Sequence, residues 1–149
     1  MKDALGSLFN ITLLFTFLFL ITGFILFSIN YYKAFSVKNK IITTIEQYEG
    51  NMSNPSLKEK IEDYVKKLNY NVDISNRSKR TSVDGWNCVD DLGFCYSKEN
   101  ISEDKKCTYT YKVRTYINTD VPVFNRIFDS SDLFSVSGET KVIKKRGCN

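Results

Sequence analysis

The 149-residue chain has no histidine, two prolines and seven glycines that stand singly. Without imidazole there is no ordinary general base near neutral pH, and none of the serines has an obvious activating partner. Neither a Gly-x-Gly-x-x-Gly motif nor a lysine-bearing phosphate loop occurs, which removes the usual nucleotide cradles. No Cys-x-x-Cys pair is present, so the four cysteines do not read as zinc ligands. The acidic pairs Asp90-Asp91 and Asp129 with Asp132 lack the spaced oxygen set of a calcium loop and suit turns. No catalytic residue, cofactor site or metal site is expected. The chain does not read as an enzyme.

Charge is missing altogether from Ala4 to Tyr32, and Leu8 to Phe27 is mostly Leu, Ile and Phe. A helix of that length crosses roughly 30 Å of hydrocarbon at about 1.5 Å per residue. Residues 1–32 are therefore expected to form a single membrane anchor. The apolar run exceeds the core of a cleaved secretory signal, and no Ala-x-Ala exit follows it. Elsewhere the net charge of +4 is mild and lysines alternate with carboxylates over Lys58 to Asp63, which gives nucleic-acid binding little support. Lys33, Lys38 and Lys40 beyond the span favour a cytoplasmic carboxyl side. Four cysteines in a small polar region favour disulfides and an oxidising compartment. The cysteines weigh more, because the charge difference is small. The expected location is the cell membrane, single-pass, with the C-terminal domain outside.

No Pro or Gly interrupts the chain between Gly23 and Gly50, so the helix is expected to run from about Leu5 to Tyr48. Ala34, Ile41, Ile45 and Tyr48, with Phe35 and Ile42 beside them, make an apolar stripe on a stalk over residues 33–50. The stripe must pack on its own head or on neighbouring subunits. Residues 51–149 form the head, expected to be α+β. Asn54 and Pro55 open a second helix whose Leu57, Ile61, Tyr64, Val65 and Leu68 share a face, read as lying on a small antiparallel sheet. Period-two alternation predicts strands at Tyr70–Ile74, at Thr108–Ile117 and at Phe134–Ile143, the last with Val142 facing inward like Val136. A short helix is expected after Pro122, and an exposed loop from Ser97 to Lys106. The Asp90-Asp91-Leu92-Gly93 turn sets Cys88 opposite Cys95, which suggests the pairs Cys88–Cys95 and Cys107–Cys148 among three connectivities. Trp86, Phe94 and Tyr96, around the small cysteine loop, are candidate ligand contacts or core.

The stalk from Ile29 to Lys40 leads into Glu46-Gln47-Tyr48-Glu49-Gly50. The tail runs from Tyr116-Ile117 through Val121-Pro122-Val123-Phe124 to Phe134–Thr140. Together they resemble the TadE-type pseudopilins of tight-adherence pili and related conjugative-element proteins of low-GC Gram-positive bacteria. The resemblance implies a pilin-like head and a non-enzymatic structural subunit of a pilus or secretion assembly. It also implies an oligomeric state, with pilin-like subunits or assembly-platform proteins as partners. Gly6 stands where such proteins are processed, but the residue five beyond it is Ile11, where the family pattern has glutamate. The alternative from the residues alone is a membrane-tethered module that binds an envelope partner or ligand.

Overall fold

The computed structural model describes residues 2–72, 74, 85–101, 108–117 and 134–144, with side chains from residue 8 onward. Helix α1 (Lys2–Gln47) is continuous through the apolar run and the stalk, as the absence of breakers requires. It ends by a carbonyl-capping device at Gly50. The Gly50 N–H reaches back to the Ile45 carbonyl and the Glu49 N–H to that of Glu46. This double bond pattern needs left-handed backbone, and Glu49 (φ 51°) and Gly50 (φ 73°) supply it. Helix α2 (Pro55–Lys67) starts as expected: the Asn54 side chain accepts from the Ser56 N–H, with proline at the first turn. It closes by the same device, with Asn69 left-handed and the Tyr70 N–H on the Val65 carbonyl.

Among the described residues five strands form one antiparallel sheet: β1 (Asn87–Val89), β2 (Phe94–Asn100), β3 (Thr108–Tyr116), β4 (Ser135–Glu139) and β5 (Ile143–Lys144). The order is β1-β2-β3-β4, with β5 beside the start of β3. The C-terminal half of α1 lies across β3 and β4, and α2 packs chiefly along α1. The expected sheet-covering helix is thus α1, with α2 on its flank. Ala34, Val37, Ile41 and Ile45 of α1, Leu57, Ile61 and Val65 of α2, and Phe94, Tyr111 and Val113 of the sheet share one core. Gly138 allows the close approach: a Cβ there would stand 2.9 Å from Ile42 Cδ1 and 3.1 Å from Lys38 Cδ.

Three expectations are corrected. Tyr70–Ile74 is not a strand. Tyr70 closes α2 and enters the main core, whereas Ile74 joins Cys95 and Tyr116 in a second cluster on the sheet's other face. Its alternate burial thus serves two different cores. Residues Ser97–Asn100 belong to β2, because β3 offers a long edge and its partners reward pairing. Lys112 Nζ donates to Glu99 Oε1 at 2.7 Å, and Lys98 Nζ sits 4.0 Å from the Tyr109 ring centre. The final strand is split by a bulge. Lys112 faces Glu139 and Tyr109 faces Ile143, so three residues (140–142) oppose two (110–111). The extra residue inverts the pattern: Ile143 is buried and Val142 is 57% exposed. Thr140 drives the departure, its hydroxyl accepting from the Tyr111 N–H in place of a backbone carbonyl, and the Lys141 N–H goes to Glu46 of α1. The short helix after Pro122 lies outside the described residues.

Two tyrosines of β3 clamp the end of α1. Tyr109 donates its hydroxyl to the Glu49 carbonyl and Tyr111 to the Gly50 carbonyl, each at 3.0 Å. Burial pushes the Tyr111 phenol above its ordinary 10.0, with the neighbouring Tyr109 and Tyr96 adding to the rise. A phenol that ionises less readily in the fold than in the unfolded chain contributes stability that is present below pH 10 and lost as pH rises through and beyond it. Alkaline unfolding monitored by circular dichroism is therefore expected to steepen above pH 10. Tyr111→Phe should cost roughly 1 kcal/mol at neutral pH and flatten that alkaline decline.

Candidate functional site

The N-terminal half of α1 is a bare apolar surface. From Leu8 to Leu26 its large side chains are exposed on every side of the helix (Phe9 is 71% exposed). The hydroxyls along it are satisfied locally. The hydroxyls of Thr12, Thr16, Thr22 and Ser28 each donate to the carbonyl four residues back, at 2.8–2.9 Å. The helix is long and apolar enough to cross a membrane. Gly6 lies in its first turns.

The head begins at Phe27, whose ring meets Phe134 edge-on at 5.6 Å. Two turns later the Thr115 hydroxyl, fully buried, donates to the Ala34 carbonyl at 2.9 Å. Of the candidate interaction residues on the stalk, Ala34, Ile41 and Ile45 are completely enclosed by their own head. Of the two coverings open to the stripe, these three residues take their own head. Tyr48 is half-buried with the Lys60 ammonium 5.1 Å from its ring. Phe35 remains 39% exposed, stacked on Tyr31 and carrying the Lys38 ammonium 4.2 Å over its ring. Sequence reasoning missed Val37 and Thr44, which complete the buried stripe at three-residue spacing from Ala34 and Ile41. Thr44 was hidden by its polarity, which the helix neutralises through a 2.7 Å bond to the Lys40 carbonyl.

The disulfide Cys88–Cys95 joins β1 and β2 at directly opposed positions, as the turn predicts. Cys107 and Cys148 lie outside the described residues. Removing the Cys88–Cys95 bridge frees a short loop, worth about 2.5 kcal/mol in the chain-entropy model. Double Cys→Ser replacement should lower the urea midpoint by a corresponding amount with an unchanged slope.

The face of the sheet away from α1 carries the polar chemistry. Phe94 is buried and the half-buried Tyr96 packs on the main core. Trp86 alone of the three aromatic candidates sits on the outer side. The Arg114 guanidinium lies over it, its Cζ 4.5 Å from the ring centre. Lys112, two residues along β3 from Arg114, holds Glu99 at 2.7 Å and Glu139 at 3.6 Å. The hydrogen bond with Glu99 raises the Lys112 ammonium above its ordinary range. Sequence reasoning overlooked Arg114 and Lys112, which period-two alternation already placed on the solvent side. A larger open groove of about 510 Å³ runs between α2 and the Asp90–Leu92 turn, lined by Lys58, Glu62, Lys66, Asn69, Tyr70 and Asp91 among others. Its principal charges are already spent on each other, Glu62 being paired with Lys66 at 2.7 Å. Among the described residues no group of three or more metal-ligating side chains assembles.

No protein-family model, curated protein or solved structure matches this chain. Architecture and side-chain chemistry carry the functional reading.

Proposed function

We propose that this chain is a membrane-anchored, non-enzymatic structural subunit of a pilin-like envelope assembly, a minor pseudopilin in role. One observation carries the reading: a single 46-residue helix is bare and apolar from Leu8 to Leu26 and, farther on, buries the stripe from Ala34 to Ile45 in its own head. About twenty residues of bare helix match the hydrocarbon thickness, and the hydroxyls of Thr12, Thr16 and Thr22 within them bond back to the helix itself. The rigid continuation couples any movement of the anchor to the head. Because the stalk stripe is already covered, helix-to-helix contact between subunits falls to the bare half alone. The Cys88–Cys95 disulfide favours a head on the oxidising side of the membrane.

Site-specific photo-crosslinking in native membranes tests the assignment. A benzophenone side chain at Phe15 should join copies of this chain to one another or to another apolar helix. The same group at Phe35, beside the head, should do so weakly. Solely monomeric adducts at position 15, together with a monomer in mild detergent, would defeat the proposal. Amino-terminal sequencing of the membrane-extracted protein decides processing after Gly6: an intact Met1 excludes it.

A further inference from the structure

Among the described residues, the guanidinium of Arg114 on the outer sheet face meets a ring but no hydrogen-bond acceptor. Arg114 lies between Cys95 and Ser137 in the cross-strand row. Both nearby carboxylates, Glu99 and Glu139, are drawn to Lys112. Among the described residues Arg114 meets no carboxylate, and its one recorded partner is the Trp86 ring. A guanidinium over an aromatic ring is attracted to the ring and not to an acceptor, and among the described residues no acceptor takes up the N–H donors of Arg114, whose fork geometry matches a carboxylate. Beside it lies a notch of about 240 Å³ bounded by Trp86, Lys112, Arg114, Ser137, Gly138 and Glu139. β4 is the last strand on this path of the sheet, so the notch is approached from the sheet edge.

We propose that this notch binds one carboxylate of an acidic peptide segment on a partner protein. Arg114 grips it with two parallel N–H bonds, and Ser137, directly across the ladder, is placed to add a hydroxyl donor. The volume is below the roughly 300–1,000 Å³ of pockets that enclose whole small molecules, and fits a single acidic side chain. Trp86 already has one face occupied by Arg114, and it packs on the cluster containing Ile74 and Cys95, so stacking on a sugar ring is disfavoured. This inference does not depend on the assembly role, since it concerns the head alone.

Trp86 is the only tryptophan in the chain, so its fluorescence reports directly on the notch. The full-length protein in detergent is titrated with acetylated tri-glutamate, tri-glutamine and tri-galacturonate. The expected result is a saturable change in Trp86 emission with tri-glutamate and none with tri-glutamine. Arg114→Lys, which keeps the charge but loses the fork, should weaken binding about tenfold, and Arg114→Gln should abolish it. Ser137→Ala, a surface change with little bearing on folding, should weaken it severalfold. An equal response to tri-glutamine, an unchanged affinity in folded Arg114→Lys and Ser137→Ala proteins, or no saturable response would each overturn the proposal. Tighter binding of tri-galacturonate than of tri-glutamate would overturn the peptide assignment.

Discussion

A fragment of residues 51–149 is expected not to fold, whereas residues 28–149 should give a cooperative domain without detergent. The stalk is the centre of the head: Ala34, Val37, Ile41, Thr44 and Ile45 are enclosed on all sides. Burying Val37, Ile41 and Ile45 contributes roughly 1.5–3 kcal/mol each. Their loss would also uncover the inner face of β3 and β4. Four anchoring bonds would go with them, from Thr115 to Ala34, Tyr109 to Glu49, Tyr111 to Gly50 and Lys141 to Glu46. Domains of this size have about 5–15 kcal/mol of net stability, so the deficit consumes it. Circular dichroism and urea melts of the two fragments decide the matter. A cooperative melt from residues 51–149 would show that the head owes nothing to the stalk.

Gly93→Ala should be strongly damaging although it removes no buried side chain. Gly93 follows the Asp90–Leu92 turn with φ 66°, where a side chain costs roughly 1–2 kcal/mol. The added methyl would also stand 3.0 Å from the Val72 carbonyl oxygen and 3.1 Å from Tyr70 Cε1. That crowding falls on a hydrogen-bonded junction. The Tyr70 hydroxyl accepts from the Tyr116 N–H at 3.1 Å and lies 2.6 Å from the Tyr116 carbonyl and 3.1 Å from that of Gly93. It occupies the position of the next rung where β2 turns away from β3, and it ties the end of α2 to the sheet. A loss of about 2–4 kcal/mol is expected for Gly93→Ala, and about 1–3 kcal/mol for Tyr70→Phe, which removes that buried acceptor and donor. The double variant should lose less than the sum, because both changes open the same junction. Strictly additive urea-melt values would mean that the two residues act separately.

Local signals were legible where one neighbour decides the structure. Asn54-Pro55 starts α2 because a cap and a preset φ need no distant partner, and the turn before Gly93 aligns Cys88 with Cys95 for the same reason. The β3 alternation was readable because its inner positions share a single core. The reading failed where burial changes partner along the chain. Tyr70 and Ile74 alternate as a strand would, yet they serve opposite faces of the sheet. Val142 and Ile143 exchange places because Thr140 bonds the Tyr111 N–H through its side chain, an event that depends on a residue 29 positions away. Arg114 beside Trp86 depends on the β1–β2–β3 register, which no local pattern contains.

By itself, the order of amino acids determined one uninterrupted apolar helix, the starts and stops of both helices and the alternation of the central strand. These follow from backbone sterics and side-chain periodicity within a few residues. Only the tertiary structure decided what covers the stalk, how β2 extends through polar residues and where the last strand slips by one. Each of these is a choice among partners brought from far along the chain, settled by which pairing buries the most apolar surface without leaving a backbone group unbonded.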